Sequence, residues 1–81
     1  MTTASQPAAS EWVRQFADAL GTPPPDDEEI AQLLTIAGIA AHASERTAAP
    51  ISTWLVGRSR AAPADAREIA ARLATGLRPE E

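Results

Sequence analysis

His42, Ser44, Glu45 and Arg46 fall within five residues, and Arg58 and Arg60 follow about a dozen positions later. An imidazole, a carboxylate and guanidinium forks at this spacing can present directional donors to an anion or to a partner's carboxylate. They cannot run nucleophilic catalysis. Neighbours on one connector do not provide the separate nucleophile, base and orienting group that a triad needs. The chain has no Cys nucleophile, and no Gly-rich loop follows a strand to cradle a phosphate. Asp26, Asp27, Glu28 and Glu29 form an acidic run. It lacks the spaced oxygen ligands and the turn Gly of a calcium loop, so a solvated helix start is the expectation. One His and no Cys leave neither a multi-histidine nor a thiolate metal site. We therefore expect a non-enzyme with no cofactor and no metal. The connector itself has two readings. Glu45 and Arg46 could pin the loop by binding free carbonyls and amides at facing helix ends. Alternatively His42, Glu45, Arg46, Arg58 and Arg60 could contact a partner or an anion.

Four helical segments must position these groups, each set off by Pro or Gly. The first opens at Ser10 as N-cap, with Glu11 in its first turn, and carries Trp12, Phe16 and Leu20 at i, i+4, i+8 with Val13 beside them. Gly21 stops it, and Pro23, Pro24 and Pro25 make a stiff connector. The second starts at Asp26, with Glu29 placed to complete a capping box. From Ile30 to Ala43 only Gln32, Thr35 and His42 are polar, so this helix is central in its bundle or lies under a partner. Gly38 in its interior calls for the close approach of a neighbouring backbone. His42 to Ala49 reads as a polar connector, and Pro50 as the first residue of a third helix that ends near Ser59. The fourth follows Pro63, with Asp65 and Glu68 repeating the pattern of Asp26 and Glu29 at an offset of 39, and Gly76 closing it. Glu68 and Arg72 form an i, i+4 pair in the favourable orientation. No segment alternates with period two, so no strand is expected. The fold class is all-α, a compact bundle of about four short helices. Residues 1–9 read as a disordered lead and 10–78 as a single domain. Its expected core includes Trp12, Phe16, Ile30, Leu34, Trp54, Leu55, Ile69 and Leu73, the two Trp serving as core rather than as ligand platforms.

Composition bounds the rest. Nineteen of 81 residues are Ala and only sixteen are Leu, Ile, Val, Phe or Trp, so the core is thin and its stability modest. Charge is segregated under a net −4. Residues 21–45 hold five carboxylates and no base, whereas residues 46–78 hold six Arg against Asp65 and Glu68. All basic residues are Arg, a usage that a GC-rich bacterial genome favours. No stretch approaches the ~20 apolar residues of a membrane span, and no secretory signal opens the chain, so a cytoplasmic protein is expected.

The ordered run His42-Ala-Ser-Glu45-Arg46-Thr-Ala-Ala49-Pro50-Ile-Ser-Thr53-Trp54-Leu55-Val-Gly57 resembles the hallmark of a small, mostly actinobacterial helical domain family of unknown function. Glu11-Trp12-Val13 and the acidic start of the second helix fit the same pattern, so the resemblance covers about residues 11–60. Thr47 and Trp54 depart from the commonest forms. Such domains occur alone or attached to molybdenum cofactor guanylyltransferase-like proteins, near genes for formate dehydrogenase and its maturation factor. The resemblance implies a context and no activity, since His42, Glu45, Arg46 and Pro50 match the pattern without an assigned role there.

The leading expectation is a non-catalytic accessory protein, a monomer or weak dimer. Its partner would be a molybdoenzyme such as formate dehydrogenase, or a protein that matures the molybdopterin guanine dinucleotide cofactor. The alternative is a module that binds a phosphate-rich ligand such as a pterin dinucleotide, which requires Arg46, Arg58 and Arg60 to converge on one pocket. A helix-turn-helix DNA binder comes third, because net −4 and an acidic second helix oppose phosphate contacts. We expect neither nucleic acid nor membrane as a partner.

Overall fold

The computed structural model describes residues 8–77, all of them in four helices and their connections. The helices are α1 (Ala9–Leu20), α2 (Asp27–Ala43), α3 (Ala48–Arg58) and α4 (Pro63–Leu77), with no strand among the described residues. The all-α bundle is therefore the observed architecture. Most of the lead expected over residues 1–9, and the domain end at residue 78, lie outside the described residues. Within them, Ala8 and Ala9 already belong to the start of α1.

Helix boundaries follow local chemistry, with four corrections. Asp26 caps α2 as expected. Its carboxylate accepts from the Glu29 backbone N–H at 2.7 Å, and the Glu29 carboxylate accepts from the Asp26 N–H at 2.9 Å. Gly21 ends α1 in the left-handed region, at φ 77°. There the Gly21 and Thr22 amides donate back to Asp18 and Ala17, which satisfies carbonyls left open by the helix end. Ser10, however, does not cap α1. The helix starts one turn-fraction earlier, with the Ala8 carbonyl accepting from Trp12, because Ala9 extends a helix readily. Asp65 does not cap α4 either. Pro63 seeds that helix with its fixed φ, the Ala62 carbonyl accepts from Ala66, and Asp65 falls inside the first turn. Pro50 is the third residue of α3 rather than the first, still within the turn whose N–H groups have no intrahelical acceptor. Gly76 stays helical and α4 runs on through it to Leu77.

α2 is the spine of the bundle. α3 and α4 each pack along it, while α1 has no helix of its own chain packed extensively against it. A bridge of side chains ties the spine to α4. The Arg67 Nε donates to Gln32 Oε1 at 2.6 Å, and Gln32 Nε2 donates in turn to Glu28 at 2.8 Å. The expected Glu68–Arg72 pair is not formed.

The expected core is where the structure departs furthest from the helix patterns. Among the described residues only Ala17, Ile36, Ala66 and Ala74 are buried, and of these Ile36 alone is a large side chain. Of the eight residues expected inside, only Ile30 is even half-buried. Trp12 is 55% exposed, Leu34 67% and Leu73 62%, with Phe16, Trp54, Leu55 and Ile69 similarly open. On α1 the inward side is Val13 and Ala17, and the Trp12–Phe16–Leu20 stripe faces away. An apolar stripe states which face seeks burial. It does not state that the same chain buries it.

Candidate functional site

The expected connector of eight residues shrinks to four. His42 and Ala43 complete α2, and Ala48 and Ala49 already belong to α3. The His42 Nδ1–H donates to the Gly38 carbonyl at 2.8 Å, which holds the imidazole along the last turn of α2 and leaves it exposed. Glu45 and Arg46 do pin the loop, but through their backbone. Their carbonyls accept from the Ala48 and Ala49 amides at 2.9 and 3.1 Å. Neither side chain hydrogen-bonds to another described residue, and both project into solvent. The pinning expected from the carboxylate and guanidinium is thus done by the peptide groups, so both charges are free for an external contact.

Arg58 and Arg60 lie elsewhere. Arg46 precedes α3 and Arg58 ends it, and twelve residues of helical rise separate the two by about 18 Å. The Arg58 guanidinium sits over the Trp54 ring at 5.2 Å from the centroid, a cation–π contact one turn apart on α3. Arg60 is exposed in the bend that follows, where Ser59 Oγ donates to the Val56 carbonyl and accepts from the Ala61 amide. The sequence-selected residues therefore divide into two clusters at opposite ends of α3. His42, Glu45 and Arg46 share one end, and Arg58 and Arg60 the other. They do not converge on a common pocket.

A cleft of about 470 Å³ opens beside His42, between α2 and α4, lined by Thr35, Gly38, Ile39, Ala71 and Thr75 among others. Both threonine hydroxyls donate to carbonyls of their own helices, Ala31 and Ala71, so the walls are chemically quiet. Gly38 was expected to admit a neighbouring backbone. A Cβ built there meets nothing within 4 Å, so the glycine opens the cleft instead. Gly38→Ala should accordingly raise stability by about 1 kcal/mol, the helix-interior difference between the two residues. A urea midpoint that falls instead would mean that the cleft closes on this position in solution.

Composition and spacing did not single out the Glu28–Gln32–Arg67 bridge. The i, i+4 spacing of Glu28 and Gln32 was available as a signal for its first half, but Arg67 is 35 residues from Gln32. Among the described residues no group of three or more His, Asp or Glu side chains is arranged to hold a metal ion. No described helix is long and apolar enough to cross a membrane.

No curated protein and no solved structure matches this chain. A family model does match, over residues 4–80, nearly the whole sequence and all of the helices described above. The chain belongs to the family described as domain of unknown function DUF6457.

Proposed function

We propose that this chain is a non-catalytic helical accessory protein that acts by binding another protein. The observation that carries this reading is the outward placement of its large apolar side chains. Seven of the eight residues whose helical spacing marks them for burial are exposed, which is a large apolar surface for a chain of 81 residues. Beside that surface, His42, Glu45 and Arg46 present directional polar groups at one corner of the bundle. The partner class comes from the resemblance of residues 42–57. It is a molybdoenzyme such as formate dehydrogenase, or a protein that matures its cofactor, in the cytoplasm of a bacterium with a GC-rich genome. The separation of Arg46 from Arg58 and Arg60 weighs against the pterin dinucleotide alternative, which needed one shared pocket.

Capture from the native organism tests the reading. The tagged parent should retain a molybdoenzyme or maturation protein identifiable by mass spectrometry. Arg46→Ala should reduce that capture about tenfold, the effect of one charge-assisted hydrogen bond, with thermal midpoint and helical content unchanged. Capture that falls only in step with the midpoint would reduce Arg46 to a structural role. A parent that retains no such protein would overturn the proposal.

A further inference from the structure

α1 and the open side of the bundle are complementary surfaces carried by one chain. α3 and α4 both lie on α2 and do not pack extensively on each other, so a groove runs between them. Ile36, Ala66 and Ala70 line it deep down, Leu55 and Val56 on the α3 side, and Ile69 and Leu73 on the α4 side. No residue of α1 lines this groove. α1 meanwhile presents Trp12, Phe16 and Leu20, with the Trp12 and Phe16 rings stacked at 5.9 Å and 15° into an apolar plate on its outer face.

We infer that α1 of one chain docks in the α3–α4 groove of a second copy, reciprocally, to form a homodimer with two four-helix bundles. The inference rests on reading the outward apolar side chains as interaction surface, and it leaves Leu34, Ile51 and Trp54 open for the protein partner proposed above. Five features select a second copy of this chain as the occupant. The open parts of Trp12, Phe16, Leu20, Leu55, Ile69 and Leu73 amount to roughly 700 Å² per chain, close to the ~800 Å² each partner gives to a standard interface. The twelve residues of α1 span about 18 Å and the fifteen of α4 about 22 Å, so the helix fits the length of the groove. The four-residue spacing of Trp12, Phe16 and Leu20 matches that of Ile69 and Leu73, the condition for interdigitating ridges. Charge also agrees. α1 carries Glu11 and Asp18 against Arg14, whereas residues 48–77 carry Arg58, Arg60, Arg67 and Arg72 against Asp65 and Glu68. The hinge favours exchange over folding back, because Pro23, Pro24 and Pro25 form a semi-rigid spacer between α1 and the bundle. A two-fold arrangement then buries both copies of each surface and leaves none to propagate.

Sedimentation equilibrium on the full chain, with thiol cross-linking, tests this. The parent should sediment as a dimer at micromolar concentration, and Trp12→Ser/Phe16→Ser as a monomer. The chain has no cysteine, so introduced thiols report without interference. An equal mixture of Phe16→Cys and Ile69→Cys chains, mildly oxidised, should give predominantly the mixed covalent dimer, and the Phe16→Cys/Ile69→Cys chain should link between molecules. A monomeric parent overturns the inference, as does a Trp12→Ser/Phe16→Ser variant that stays dimeric. Closure of the two thiols within one molecule overturns it as well, since α1 would then occupy its own groove. The cross-linking arm remains decisive if the serine variant fails to fold. A monomer that still captures a molybdoenzyme removes the pairing and leaves the accessory role standing, while a dimer that captures nothing does the reverse.

Discussion

Ile36→Ala is expected to cost about 2–5 kcal/mol, a large share of the stability of a chain this size. Ile36 is 2% exposed and is the only large side chain buried among the described residues. It stands on α2 where α3 and α4 both lean on the spine, and it lines the groove between them. Its truncation removes the largest buried apolar side chain at the place where the three helices meet. The other buried residues are alanines, which cannot lean further inward to fill the space. Urea unfolding followed by far-UV circular dichroism measures the loss. A penalty below about 1 kcal/mol would mean that the three helices are held by contacts other than this one.

Asp26→Ala should lower stability by about 0.5–2 kcal/mol, near the upper end because the substitution breaks both halves of the capping box. The Glu29 amide loses its carboxylate acceptor at 2.7 Å, and Glu29 loses the geometry that draws it back to the Asp26 N–H. These are the first turns of the spine, so fraying there loosens the Glu28–Gln32–Arg67 bridge to α4 as well. Asp65→Ala is the matched control. Asp65 sits inside α4 rather than at its cap, and only its modest interaction with the helix dipole is lost, about 0.3–1 kcal/mol. Equal shifts in the two urea midpoints would show that α4 starts at Asp65 in solution and not at Pro63.

The two aspartates show how far local signals carry. Asp26 and Asp65 stand in the same short pattern, and one caps a helix while the other does not. The difference is a single neighbour. Pro25 keeps the residue before it, Pro24, out of the helical region, so the helix waits until Asp26, whereas Ala64 in the matching place lets the helix start at Pro63. That distinction was present in the sequence, and the repeat at an offset of 39 hid it. The connector after α2 shows the opposite case. Its polar character was legible, but the pinning groups proved to be the peptide carbonyls of Glu45 and Arg46, which residue identity does not report.

The four helical segments, the stop at Gly21 and the capping box at Asp26 were legible in the residues alone. Each depends on interactions reaching no further than about four residues. The packing of the helices, in contrast, put Trp12, Phe16, Leu55 and Leu73 outside and set Arg46 and Arg58 at different corners. A helical stripe encodes a direction of burial relative to its own axis. Where that axis lies depends on the triproline spacer and on how α3 and α4 straddle Ile36, and these relations join residues far apart in the chain. Sequence proximity likewise suggested one site from His42 to Arg60, but a straight helix carries its two ends about 18 Å apart whatever their chemistry has in common.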